Sequence, residues 1–307
     1  MEKHVPVLLN EVIEGLNIKS DGIYCDLTLG RAGHSSKILE KLTTGLLIGV
    51  DQDQTAIDES KERLANYPAR HIIIKSNFSK LKEILDELGI DKVDGILMDL
   101  GVSSPQFDIA SRGFSYNYDG PLDMRMDQNQ TLTAYTIVNT YPLNELLRVF
   151  NDYGEDRYSY QIAKNIIKYR DNKPIETTFE LVGIIKGSKP NKELNKIGHP
   201  AKQIFQALRI ETNDELNVLK VAIKEALEVL RPQGRLAVIS FHSGEDRIVK
   251  SMFNEKTKIK GNRLNIPDPE IKLDYRLITP HPIVASEEEI TNNHRAKSAK
   301  LRIIERL

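Results

Sequence analysis

Four short apolar runs alternate with helical patterns along the first part of the chain. The runs lack the strict alternation of a sheet with one exposed face, so we expect parallel strands covered by helices on both faces. The predicted strands are Gly22–Leu27, Leu46–Asp51, His71–Lys75 and Asp94–Leu100. Apolar residues recur at helical spacing over Ser35–Leu42, Thr55–Leu64 and Phe78–Leu88. This order predicts a doubly wound, Rossmann-like α/β sheet.

The alternation of strands and helices stops at residue 108 and resumes at residue 214. Helical patterns fill the stretch between these positions, without a convincing strand. Further along, Arg235–Phe241 and Leu301–Ile304 have the composition of strands. We therefore predict a discontinuous α/β domain, residues 1–107 and 214–307, interrupted by an inserted all-helical domain at residues 108–213.

Composition excludes several classes of protein and of binding site. The formal net charge of the 307 residues is −1, so any nucleic-acid binding requires a local basic patch. The single cysteine, Cys25, excludes a disulfide within the chain, and the scattered histidines form no metal-binding motif, so no metal site is expected. No apolar run is long enough for a membrane helix, and the N-terminal run is too short for a signal peptide. We expect a cytoplasmic protein.

A loop of small residues follows the first predicted strand. Such a loop lets the backbone approach a ligand at the carboxyl end of a strand, where open α/β sheets bind ligands. The dinucleotide fingerprint requires three glycines, whereas this loop has only Gly30 and Gly33, with Ala32 between them. A pyrophosphate cradle is therefore disfavoured. An ordinary strand-to-helix turn is the alternative interpretation.

Asp51 ends the second predicted strand, and Phe78 follows the third. An acidic residue at the end of this strand accepts hydrogen bonds from the ribose of an adenine nucleoside, and an aromatic ring can pack on the adenine. Recognition of adenosine without a phosphate loop indicates S-adenosylmethionine. Taken alone, Asp51 is also consistent with a solvated turn residue or a cap of the following helix.

The fourth predicted strand ends in Asp99-Leu100 and leads into Ser103-Ser104-Pro105-Gln106. Enzymes that methylate exocyclic amines hold the amine at this strand end, and their Asp/Ser-Pro-Pro-aromatic motif loosely resembles the tetrapeptide. Ser-Ser-Pro is also an ordinary turn. The candidate catalytic residues are Asp99, as a polar acceptor, together with Ser103 and Ser104.

Longer strings of residues carry a closer resemblance. Leu-Gly-Val-Ser-Ser-Pro-Gln at 100–106 and Pro-Leu-Asp-Met-Arg-Met at 121–126 are highly specific. The matching segments are His4–Leu9, Asp99–Gln106, Arg112–Tyr116, Gly120–Asp127, Tyr153–Glu155, His199–Ala201, Phe205–Ile210, Ile239–Ser243 and Arg295–Arg302. Over nearly its whole length the chain resembles the bacterial 16S ribosomal RNA cytosine-N4 methyltransferase family (RsmH, formerly MraW).

The resemblance implies a class I S-adenosylmethionine-dependent methyltransferase that methylates N4 of a P-site cytosine in the 16S rRNA of the 30S subunit. It implies that the inserted domain recognises the substrate, and it leaves a homodimer open. Carried over by matching position, the cofactor-binding residues are Ala32, Gly33, His34, Asp51, Phe78, Asp99 and Gln106.

Three places depart from the family pattern, of which Pro232-Gln233-Gly234 for the usual Pro-Gly-Gly is a minor turn change. Ala32 stands where glycine is usual, which is tolerable if the local φ is negative. Gly244 stands where leucine is usual, which loosens the turn after the fifth predicted strand.

The inserted domain offers candidate RNA contacts. Its cations could pair with phosphates, and its aromatic rings could stack on an extruded base or instead fill the domain junction. The cations are Arg112, Arg125, Arg157, Arg170, Lys202 and Arg209, and the rings are Phe107, Phe114, Tyr116 and Tyr118.

Two other functions remain open at this point. A nicotinamide-dependent oxidoreductase is disfavoured by the missing third glycine. A non-catalytic ribosome-assembly factor that retains a cofactor pocket is the other alternative.

Overall fold

Two compact units make up the chain, which a computed structural model describes over residues 6–258 and 273–307. The α/β unit consists of Met1–Gly101 and Leu216–Leu307, and the helical unit is Val102–Glu215. The contact boundaries therefore fall after residues 101 and 215, whereas the sequence pattern put them after residues 107 and 213.

Seven strands form one sheet in the order β3-β2-β1-β4-β5-β7-β6 within the described residues. They are β1 (Ile23–Asp26), β2 (Leu46–Asp51), β3 (Arg70–Lys75), β4 (Val93–Asp99), β5 (Leu230–Ser240), β6 (Tyr275–Leu277) and β7 (Lys300–Arg306). The first five strands are parallel, and β7 runs antiparallel to both β5 and β6. The sequence pattern missed β6, and it started the fifth strand five residues too late.

Helices connect the parallel strands and build the helical unit. In the first part of the chain they are α1 (Leu9–Leu16), α2 (Gly33–Leu39), α3 (Gln54–Leu64), α4 (Leu81–Glu87), α5 (Ser104–Asp108), α6 (Ala134–Thr140) and α7 (Leu143–Asp152). They continue with α8 (Ser159–Arg170), α9 (Thr178–Gly187), α10 (Asn191–Leu194), α11 (Lys202–Asn213), α12 (Glu215–Val229), α13 (Ser243–Thr257) and α14 (Glu287–Asn292).

Both faces of the sheet are buried, which explains the continuous apolar runs in the sequence. In β4, Ile96 and Met98 contribute to one apolar cluster and Leu97 to another. In β2, Ile48 and Leu47 are divided between the same two clusters. Successive side chains of a strand point to opposite faces, so these two clusters lie on opposite sides of the sheet.

The helical unit has a core of its own, in which Phe150, Ile162 and Leu208 are fully buried. One ion pair is also buried. The Lys189 ammonium lies 2.5 Å from the Asp156 carboxylate, and their side chains are only 7% and 1% exposed. A buried charge that loses its partner is strongly destabilising, because water cannot solvate it.

Replacement of Lys189 by methionine tests this ion pair. Lys189→Met leaves the buried Asp156 carboxylate uncompensated, so we expect the free energy of unfolding to fall by about 3–5 kcal/mol. Chemical denaturation followed by circular dichroism measures this change. Lys173→Met is the matched control, because Lys173 pairs with Glu180 while 56% exposed. Its loss should stay below about 1 kcal/mol. Equal losses in the two variants would contradict a special role for the buried pair.

Candidate active site

Acidic residues end three neighbouring strands of the sheet. Asp26, Asp51 and Asp99 are the last residues of β1, β2 and β4. Asp26 is in register with Gly49 of β2 and Leu97 of β4, so Asp51 and Asp99 extend two residues further along their strands. The strand order reverses between β1 and β4. This reversal produces the crevice in which α/β sheets bind ligands.

Asp51 fixes the loop that follows β1. Its Oδ2 atom accepts a hydrogen bond from the Gly30 amide at 2.9 Å, and its Oδ1 atom accepts one from the Asp53 amide at 2.9 Å. Asp53, rather than Asp51, caps α3, since its carboxylate accepts from the Thr55 amide. The cap interpretation of Asp51 is therefore wrong.

Asp26 and Thr28 hold the same loop from its other end, and sequence reasoning did not select either of them as a site residue. Asp26 is 2% exposed and accepts hydrogen bonds from the Thr28 amide at 3.2 Å and the Ser35 hydroxyl at 2.6 Å. The Thr28 hydroxyl accepts in turn from the Asp99 amide at 2.6 Å. The available signal was the position of Asp26 at a strand end.

Ala32 adopts a left-handed conformation, with φ 54°. The sequence argument tolerated alanine here on condition that φ is negative, and that condition is not met. Ala32 precedes α2, and its amide donates to the Leu29 carbonyl at 2.7 Å, which fixes this geometry. A non-glycine residue in this region carries a strain of about 1–2 kcal/mol.

Gly33 brings the N-terminal segment against the loop. A Cβ atom at Gly33 would lie 2.5 Å from Cγ of Pro6, so only glycine allows this approach without a shift. His34 extends the contact, because its Nε2 atom lies 2.9 Å from the Val7 carbonyl oxygen. His4 and Val5, which begin the same motif, lie outside the described residues.

His34 also faces Asp99, with its Nδ1 atom 3.6 Å from Oδ2 of Asp99. A neutral ring that donates through Nε2 to Val7 presents the lone pair of Nδ1 to the carboxyl group. With either tautomer, the His34 ring is a direct neighbour of the Asp99 carboxyl group.

Burial shifts the titration of all three acids. It raises the pKa of Asp26 and that of Asp51 to about 6 from an ordinary value of 3.8. Burial, reinforced by the charges of Asp26 and Glu245, raises the pKa of Asp99 well above its ordinary value. The Oδ1 atom of Asp99 is buried without a hydrogen-bond partner among the described residues. A cationic or hydrogen-bond-donating ligand would satisfy this acceptor.

Phe78 follows β3 and is half-buried against the apolar cluster below it. Asn77 fixes its position, since the Asn77 side chain accepts from the Ser79 amide and donates to the Gln52 side chain at 2.9 Å. The end of β3 is joined to the end of β2 by a hydrogen bond from the Ser76 amide to the Asp51 carbonyl oxygen. Phe78 therefore lies on the edge of the sheet that carries Asp51.

The remaining predicted site residues belong to the helical unit. The Ser103 amide donates to Oε1 of Gln106 at 3.0 Å, which closes a turn at the start of α5. The side chain of Ser104 lies outside the described part of the structure. The α/β unit thus brings together Gly33, His34, Asp51, Phe78 and Asp99, whereas Ser103, Ser104 and Gln106 begin the other unit.

Gly244 lies in a capped turn after β5. His242 and Glu245 form a capping box for α13, and the Glu245 carboxylate also accepts from the Phe241 amide at 2.7 Å. A Cβ atom at Gly244 would lie 3.1 Å from the His242 ring. Leucine here would therefore require the ring to move by a few tenths of an ångström.

Most arginines that the sequence offered as phosphate contacts are engaged within the helical unit. Arg112 donates to main-chain carbonyls at residues 125 and 126, and Arg170 to those at residues 138 and 141. Arg209 forms a bidentate pair with Glu215 at 2.8 Å, and Arg125 pairs with Asp123. By contrast, Arg157 and Lys202 are exposed.

The four aromatic candidates differ in how far they are buried. Phe114 is 3% exposed and packs in the core of the helical unit, so its ring is not available to stack on a base. Phe107 and Tyr116 are half-buried against that core, and Tyr118 is exposed.

Comparisons with known proteins agree with one another. The sequence model of the MraW methylase family matches residues 1–307. The Ribosomal RNA small subunit methyltransferase H of Exiguobacterium sibiricum is 52% identical over 309 residues, covering 100% of this chain and 99% of that protein. In the part of the chain that the structure describes, no helix has the length and apolar character to cross a membrane.

Two solved structures were matched at low identity. A putative methyltransferase from Streptococcus mutans in complex with SAH is 12% identical, with a TM-score of 0.46, over 99% of this chain and 100% of its own. An rRNA methylase from Streptococcus thermophilus is 10% identical, with a TM-score of 0.43, over 97% and 93%.

Substitutions at Ala32 test the left-handed conformation. In Ala32→Gly, the relief of strain is offset by the lost methyl group and the greater freedom of the unfolded chain, so we expect a change in the free energy of unfolding within about 1 kcal/mol. Ala32→Val places a β-branched residue at positive φ and should cost more than about 2 kcal/mol. Thermal and chemical denaturation measure both. Equal stability of the valine and glycine variants would contradict the assigned backbone geometry.

Proposed function

Because the chain belongs to the MraW methylase family over its whole length, we propose that it methylates N4 of one P-site cytosine in the 16S rRNA of the small ribosomal subunit. The relative with 52% identity is named for the small-subunit rRNA, which supports this substrate. The subunit rather than free rRNA as substrate, and the exact nucleotide, are part of the proposal.

Family membership confirms the predicted class of enzyme. The chain is an rRNA methyltransferase with S-adenosylmethionine as its methyl donor, and its fold is the class I, Rossmann-like methyltransferase fold. The nicotinamide-dependent alternative is therefore wrong. The resemblance named from the sequence motifs is confirmed as well.

The single observation that carries the proposed site is the convergence of Asp51, Asp99 and the Gly30–His34 loop at one edge of the sheet. The chemistry of these groups fits the cofactor. The ribose offers two hydroxyl donors to the Asp51 carboxylate, and the buried Oδ1 atom of Asp99 lacks a partner among the described residues. A ligand that brings hydroxyl donors and a positive charge would give Asp51 and Asp99 hydrogen-bond donors and offset their negative charge.

The protein has little covalent chemistry to perform. S-adenosylmethionine, when bound, supplies an electrophilic methyl group. Cytosine N4 is a poor nucleophile because its lone pair is delocalised into the ring, so the site must orient the amine and desolvate it. Asp99 is placed to accept a hydrogen bond from an N–H group of the amine or of the cofactor. Its raised pKa makes it a better proton acceptor than an ordinary carboxylate.

Labelled-methyl transfer tests the proposed reaction. Small subunits from a strain that lacks the modification should take up one methyl group, and nucleoside mapping should place it on N4 of one P-site cytosine. Methylation of another position would contradict the proposed specificity. Cofactor binding without methyl transfer would instead favour the non-catalytic assembly factor.

Removal of the Asp51 carboxylate tests the ribose contact. We expect Asp51→Ala to weaken S-adenosylmethionine binding by about 1–3 kcal/mol, because hydrogen bonds to the ribose are lost. Wild-type affinity should fall as the pH drops through about 6, where Asp51 gains a proton and loses acceptor capacity. The variant should lack this component of the pH dependence. Calorimetry measures both quantities.

Asp58→Ala is the matched control, since this carboxylate is exposed on α3. It should bind the cofactor with the affinity and pH dependence of the wild type. Unchanged affinity in Asp51→Ala would refute the ribose assignment.

A further inference from the structure

A basic segment stands out in the helical unit. Residues 186–202, called the basic loop here, contain five lysines and a single acid, Glu193, in a chain whose net charge is −1. The segment runs from the end of α9 through the four-residue α10 to the start of α11. Its charge is therefore local, as the near-neutral composition requires of any nucleic-acid contact.

One of these lysines fixes the loop and is not available to a ligand. Lys189 forms the buried pair with Asp156, and its ammonium also donates to the Pro200 carbonyl oxygen at 2.7 Å. These two contacts tie the beginning of the loop to its end and attach both to the segment before α8. The basic loop is therefore anchored to the helical unit at residues 189 and 200.

Three other lysines of the loop point their charges at solvent. Lys186, Lys192 and Lys202 are exposed, and none of them forms an ion pair with another described residue. Lys196 pairs with Glu193 at 2.8 Å. Arg157, which is exposed and follows Asp156 in the chain, adds a further charge to this surface.

The positive charges around Glu193 also lower its pKa. The hydrogen bond from Lys196 lowers the pKa of Glu193, and the charges of Arg157 and Lys189 lower it further. The charge of Arg157 and the charges of the basic loop therefore both act on Glu193, so Arg157 lies close to the loop.

An aromatic stack lies beside these charges. The rings of Tyr116 and His199 are 4.3 Å apart and 8° from parallel, and Phe205 meets Tyr116 edge-on at 5.7 Å. Burial lowers the pKa of His199, and the charges of Lys186 and Lys189 lower it further. The neutral form of the imidazole is therefore favoured, and the half-buried His199 ring joins the basic loop to the core through Tyr116.

We propose that the basic loop, with Arg157, is the surface through which the helical unit contacts the phosphate backbone of the RNA substrate. The inference rests on the proposed function for the identity of that RNA. Separated, unpaired lysines on a fixed scaffold suit successive phosphates, and each contact releases condensed counterions. An anionic membrane fits less well, because α10 has only four residues and the fully exposed Ile197 after it does not make the apolar stripe of an inserting helix.

Neutralisation of the three unpaired lysines tests the inference. The variant Lys186→Ala/Lys192→Ala/Lys202→Ala should bind a transcribed 16S rRNA fragment containing the P-site region about tenfold or more weakly at physiological salt. The slope of log affinity against log salt should decrease by about 2–3, close to one unit for each lost phosphate contact. Fluorescence anisotropy over a salt series measures both.

The matched control removes the same charge from the α/β unit. Lys41→Ala/Lys61→Ala/Lys220→Ala also replaces three exposed lysines that form no ion pair with described residues. It should retain the wild-type salt slope. Both variants should keep the wild-type S-adenosylmethionine affinity and melting temperature, which shows that they are folded.

Failure of this inference is distinct from failure of the proposed function. If the wild type does not methylate small subunits but the basic-loop variant still loses RNA affinity, only the proposed reaction fails. If methylation occurs and the basic-loop variant keeps the RNA affinity, the salt slope and the KM for small subunits, the inference is overturned. Loop-dependent binding to phosphatidylglycerol vesicles with unchanged RNA binding would also overturn it.

Discussion

The hydrogen bonds between the loop after β1 and the ends of its neighbouring strands are the constraint on which the site depends. Asp51 holds the Gly30 amide from one side, and Thr28 receives the Asp99 amide from the other. The contact between Thr28 and Asp99 lies where the strand order reverses. Under the proposed assignment, the polar groups that bind the cofactor are also the groups that shape the loop, so its geometry is set before the ligand arrives.

Burying three acidic residues at the ends of neighbouring strands has an electrostatic cost. Burial is the main cause that raises the pKa values of Asp26, Asp51 and Asp99, and the charges of acidic neighbours add to it. When ionised, the three carboxylates place negative charge at one edge of the sheet. Positive charge on the methyl donor is the natural complement to such a site, whereas the phosphates of a dinucleotide would be repelled.

Much of this fold could be predicted from the sequence, because a buried parallel strand appears there as an apolar run that ends in a polar residue. Asp51 and Asp99 were predicted from that signal. The short edge strand β6 has only three residues and little pattern to detect. The positive φ at Ala32 depends on contacts with Leu29 and on the crowding of Pro6 at the next residue, which no local propensity encodes.

The ammonium group of Lys189 binds both the Asp156 carboxylate and the Pro200 carbonyl oxygen, so it anchors residues 189 and 200 to the segment before α8. Of the three exposed lysines without an ion pair among the described residues, only Lys192 lies between these two points, while Lys186 and Lys202 flank them. Under the proposed RNA contact, proteins that keep this anchor could alter the salt dependence of binding by exchanging these three lysines, because none of them takes part in the anchor.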